Sequence, residues 1–116
     1  MGLYYQAEDP RKAIRYLTDA IGRATWFRGI SWQERVTIYE ARAAVYLATK
    51  QYDPAITDYE QAIEECQEPG FEYPTLRKRS ACYKEMGMEE QAQEDRAAAA
   101  KAKAEYDARR PASPGP

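Results

Sequence analysis

The 116-residue chain contains no histidine and no asparagine, and only two cysteines, two phenylalanines and two tryptophans. Without histidine it lacks the usual general base, the commonest metal ligand and both the Ser-His and the Cys-His nucleophile pairs. Cys66 and Cys82 are too few for a zinc site and do not resemble a secreted disulfide framework; they read as small, semi-buried helix residues. Neither charge sign dominates, with 17 basic residues against 19 acidic ones, so no polyanionic partner is implied. No apolar run approaches the roughly 20 residues needed to cross a bilayer. The opening "MGLYYQAEDPRK" lacks a basic-then-apolar signal, and Ala7 stands where an acylation signal needs Ser or Thr. The adjacent Glu64 and Glu65 point around a helix rather than converging, so no acid–base pair is indicated. The expectation is a cytoplasmic, non-catalytic protein with no metal, no cofactor, and neither nucleic acid nor membrane as a partner.

What is present is helix-forming sequence arranged in copies. "AIRYLTDAI" (13–21) resembles "AITDYEQAI" (55–63), and a weaker copy, "AQEDRAAAA", begins at Ala92. Each later copy follows another helical pattern. Ser31 to Thr49 opens with Ser31 and Glu34 at capping-box spacing, and Asp53-Pro54 reads as the N-cap and first-turn proline of the next helix. A further helix is expected from about Glu72 to Met86, ended by Gly87 in the left-handed conformation. The last helix runs from about Glu89 to Ala108, and its alanine and charge content favours helix without a partner. The first pair is lopsided, because only eight residues precede Asp9-Pro10 and leave room for a stub. The resulting division is a single helical domain over 1–109, with repeats at about 1–25, 32–66 and 72–105, and a disordered tail over 110–116.

These pairs resemble the tetratricopeptide repeat (TPR), a helix-turn-helix unit carrying small and aromatic residues at set positions. Tyr39, Ala43, Tyr46, Ala55, Tyr59 and Ala62 carry the resemblance in the middle pair. Leu76, Ser80, Tyr83, Gly87, Ala92 and Ala99 carry it in the third, where Arg96 replaces an aromatic, and Tyr4, Ala13, Leu17 and Ala20 carry it in the first. The resemblance covers roughly residues 3–105. It implies an all-α, α-α superhelix of about two and a half to three hairpins, with small residues allowing close approach and tyrosines filling gaps.

Arg42 is discordant, lying among Tyr39, Ala43 and Tyr46 where a core-facing helix would carry leucine. Sixteen residues on stands Asp58, and Arg79 is followed at the same offset by Asp95. The repeated offset predicts that each arginine spans its own hairpin to its aspartate and pins the register of the two helices.

In the family, the first helix of each pair lines a concave groove that binds an extended peptide or a helix. The resemblance carries that role to Tyr5 and Gln6, to Glu40, Ala44 and Leu47, and to Arg77, Ala81 and Lys84, with Lys78 at the edge. The expected function is that of a scaffold or adaptor that binds a peptide or helix of a partner protein; its basic stretch reads either as a solvated helix face or as a holder of an acidic segment or terminal carboxylate. A chaperone-binding subfamily uses a clamp of lysines, asparagines and an arginine. That clamp cannot be complete here, and Ala41 stands at its middle asparagine. The alternative expectation is self-assembly through the N-terminal end, where the truncated first helix leaves an apolar face uncovered. Trp26, Phe27 and Trp32 are expected to fold over the junction between repeats one and two, the competing reading being a partner-binding patch. The acidic run Glu60, Glu64, Glu68 and Glu72 reads as a solvated edge.

Overall fold

The structure is a computed structural model, and it describes residues 9–26 and 29–109. Tyr4, Tyr5, Gln6 and the expected stub, together with Phe27 and the tail from 110 to 116, lie outside the described residues. Those described residues form five α-helices and no strand: α1 (Pro10–Trp26), α2 (Trp32–Ala48), α3 (Tyr52–Glu65), α4 (Tyr73–Glu85) and α5 (Glu89–Arg109). None of the five is long and apolar enough to cross a membrane.

Local chemistry accounts for most of the boundaries. Asp9 Oδ1 accepts from the Arg11 amide at 3.0 Å, satisfying a first-turn donor of α1, while Pro10 has no amide to satisfy. Ser31 and Glu34 form the reciprocal capping box at the start of α2. α3 departs from expectation. Asp53 and Pro54 lie in its first turn, and Gln51 takes the N-cap position without a side-chain bond. The reason is Lys50, whose φ of 60° turns the chain early. The Ala55 amide then bonds to the Gln51 carbonyl, and Pro54 sits where no amide is required. Gly87, at φ 79°, turns the chain between α4 and α5 in the same way. The two turns share their bonding: the amides of Gln51 and Met88 reach the carbonyls of Tyr46 and Tyr83 at 2.8 and 2.9 Å.

The helices pack in chain order, α1 on α2, α2 on α3, α3 on α4 and α4 on α5. Ala13, Ala43, Ala55, Ala62 and Ala92 are all fully buried, so side chains no larger than a methyl group set the closest approaches. One apolar cluster joins α2, α3 and α4 through Ala43, Ala55, Ile56, Tyr59 and Cys82; a second joins Leu76 to Ala99 and Ala102 of α5. Arg35 ties the connection before α2 to α3. Its Nε donates to Glu65 at 2.7 Å and its Nη1 to the Ile30 carbonyl at 2.9 Å.

One further expectation is corrected. The tryptophans do not cover the junction between the first two pairs: Trp26 is 84% exposed, and Trp32 meets Phe71 edge-on at 4.8 Å. Phe71 belongs to the next connection, which places the ring of Trp32 one junction further along the chain. The end of α5, whose composition favours helix by itself, also has a partner. Tyr106 lies 6.1 Å from the Phe71 ring and 5.9 Å from that of Tyr73, and Gly70, at φ 86°, fits directly beneath the α5 backbone. Aromatic burial and a glycine-sized contact therefore hold the extension down.

Candidate functional site

Two arginine pins position the last two hairpins. Arg42 Nε and Nη2 donate to the two carboxylate oxygens of Asp58 at 2.8 and 2.7 Å. Arg79 meets Asp95 with the same fork, both bonds being 2.8 Å. Both aspartates are buried, and the hydrogen bonds to them raise the pKa of each arginine further above its ordinary value. Each guanidinium also lies over the tyrosine four residues on, Tyr46 at 5.9 Å and Tyr83 at 5.8 Å. A remaining nitrogen of each reaches the preceding pair: Arg42 Nη1 donates to Thr18 Oγ1 at 3.0 Å, and Arg79 Nη1 lies 4.0 Å from Glu60. Thr18 and Glu60 stand at the same place in their copies, five residues after Ala13 and Ala55. One side chain thus fixes both the hairpin and its junction with the one before.

The residues expected to line one groove divide into two sets. Glu40 faces α4, where its carboxylate accepts from the Thr75 hydroxyl and from Lys78 Nζ at 2.9 Å. That cluster bridges α2 and α4 and occupies both Glu40 oxygens. Leu47 packs against the first apolar cluster, and Ala44 is half-buried. Arg77, Ala81 and Lys84 instead line a groove of about 410 Å³ between α4 and α5, which includes none of Glu40, Ala44 or Leu47. Helical geometry explains the division. Residues 77, 81 and 84 share a stripe, while Lys78 is turned about 100° from Arg77, toward α2.

α5 completes the groove with Arg96, Ala99, Ala100 and Lys103. Its walls are therefore cationic and its floor is formed largely by methyl groups. Ser80, at the base, donates its hydroxyl to the Ala92 carbonyl at 2.7 Å, leaving no unmet polar group there. Arg96 has a long 3.8 Å pairing with Glu89, and Lys103 bonds to Asp107 at 2.8 Å, which raises its pKa despite the opposing field of Arg77. Arg77 and Lys84 have no ion pair among the described residues.

The sequence reading missed the α5 half of this groove because the family pattern assigns the binding surface to first helices only. A signal was present in the spacing: Arg77–Lys84 and Arg96–Lys103 are both seven residues apart. Comparison with protein-family models, with curated proteins and with solved structures found no match.

Proposed function

We propose that this chain is a non-catalytic protein-interaction module, a TPR-like scaffold or adaptor that binds an acidic segment of a partner protein. The convergence of Arg77, Lys84, Arg96 and Lys103 around the α4–α5 groove carries this reading. Four cations around an alanine floor form a surface that attracts carboxylates and admits apolar side chains. Support for the superhelical arrangement comes from the regular offset of 37 residues that relates Arg42 to Arg79, Asp58 to Asp95 and Lys50 to Gly87. The test is a screen of acidic-C-terminal peptides against the protein and its Arg77→Glu/Lys84→Glu variant. Saturable binding that weakens by about tenfold or more in the variant supports the module; equal binding, or none, removes it.

A second reading, self-association through the N-terminal end, draws on α1, which among the described residues carries the two large apolar side chains most open to solvent, Tyr16 and Trp26. Mass measured across a concentration series decides it. A dimer lost on Trp26→Ser supports the reading, and a constant monomer mass counts against it.

A further inference from the structure

The α4–α5 groove has a repeat length of its own. Along each wall the two cations are seven residues apart, which in a helix is two turns, or about 10.5 Å. α4 and α5 run antiparallel, so Arg77 lies toward Lys103 and Lys84 toward Arg96, as the field of Arg77 at Lys103 also indicates. Two cations thus stand on each wall of the groove, with Ala81, Ala99 and Ala100 between the walls.

A single terminal carboxylate cannot meet cations spread over about 10 Å, because a carboxylate oxygen needs its donors within about 3 Å. An extended strand rises about 3.3 Å per residue and covers that length in about three residues. An α-helix lying in the groove matches it directly, with acidic residues one heptad apart on each shoulder and an apolar seam between them on the alanine floor. Methyl-sized floor residues allow the close axial approach that such a third helix requires.

Building on the reading above, we propose that the groove receives an acidic amphipathic α-helix of a partner protein, with carboxylates at heptad spacing flanking an apolar seam. The contacts of Arg96 with Glu89 and of Lys103 with Asp107 are between half-exposed groups, so exchanging them for partner carboxylates costs little. A second copy stacked end-on is a poor occupant. Its α1 carries four cations, Arg11, Lys12, Arg15 and Arg23, and a single acid, Asp19, so it would bring like charge against the cations of the groove.

The experiment uses the full chain and a fluorescent, end-blocked helical peptide of ~21 residues, with glutamates at heptad positions e and g and Ala/Leu at a and d. Anisotropy is compared with a scrambled peptide of the same composition and with one broken by central prolines. The expected result is saturable binding of the heptad peptide and at least about tenfold weaker binding of both controls. The same loss is expected for Arg77→Glu/Lys84→Glu and for Ala100→Phe, which fills the floor without altering charge. Arg77, Lys84 and Ala100 are all exposed, so circular dichroism of these variants should match the parent. Equal binding of the proline-broken peptide overturns the helical ligand while leaving the acidic-partner reading in place. No binding of any peptide removes both. Displacement of the peptide by single-stranded oligothymidylate overturns the proposal in favour of nucleic acid, and a dimer that the groove variants abolish overturns it in favour of a second copy.

Discussion

Arg42 illustrates how one residue serves two junctions. Asp58 is only 2% exposed, so removing its partner leaves a carboxylate where water cannot compensate. Arg42→Ala is expected to cost ~3–5 kcal/mol, read from urea unfolding. Asp58→Ala should cost less, because Arg42 is 19% exposed and keeps its bond to Thr18. The double variant should be less destabilised than the sum of the singles, as interacting neighbours require. Burial acts differently on the thiols and on Tyr59. It pushes Cys66 and Cys82 up to about 11 and Tyr59 up to about 12, in each case by disfavouring the charged form. Above pH 9 the unfolded chain releases protons that the folded chain retains. Stability is therefore fully present below pH 9 and falls as pH rises toward 11, and Cys66→Ala should flatten that fall in pH-resolved melting. A cost from the lost packing of Cys66 would appear at every pH and is separable on that ground.

The turns and the end of α5 belong to the scale of elements. A Cβ at Gly70 would lie 2.6 Å from the Tyr106 amide nitrogen and would press on the Ala102 carbonyl, whereas around Gly87 the space is open. Both have positive φ, so alanine strains both, by ~1–2 kcal/mol. Gly70→Ala should therefore lower the melting temperature clearly more than Gly87→Ala, since it must also lift α5 from its seat. Lys50 occupies the corresponding left-handed turn without being glycine, and Lys50→Gly should stabilise by ~1 kcal/mol. These elements also show what could be read in advance. The capping box and Gly87 were legible because each is a local pattern acting within a few residues. The Arg–Asp offset was legible because it occurs twice. The start of α3 was misplaced because the left-handed turn falls on a lysine, which gives no such sign. The docking of Tyr106 against Phe71 and Tyr73 was invisible because no repeated spacing or local pattern pairs Tyr106 with either ring. Only the α4 half of the groove was found, since its α5 half depends on how two helices lie together.

For the whole molecule, the two ends are held unequally. α5 is fastened by Gly70 and Tyr106 to the connection between the last two pairs, and Phe71 carries that attachment on to Trp32 at the start of α2. α1 relies on its packing against α2 and on the bond from Arg42 to Thr18. Hydrogen exchange should accordingly release α1 first and the α2–α5 body later, as a separate and more protected unit. Simultaneous exchange of all five helices would show instead that the ends are equally secured.

The offset of 37 residues between the two pins also has a genetic consequence. An unequal crossover between equivalent codons of the two units would delete or add one unit of 37 residues. Each arginine would still find an aspartate sixteen residues downstream, and each unit would still carry its own turn. The anchoring of Tyr106 lies at one end and would be inherited once. The chain can thus change length by whole steps that keep each pin and each turn intact.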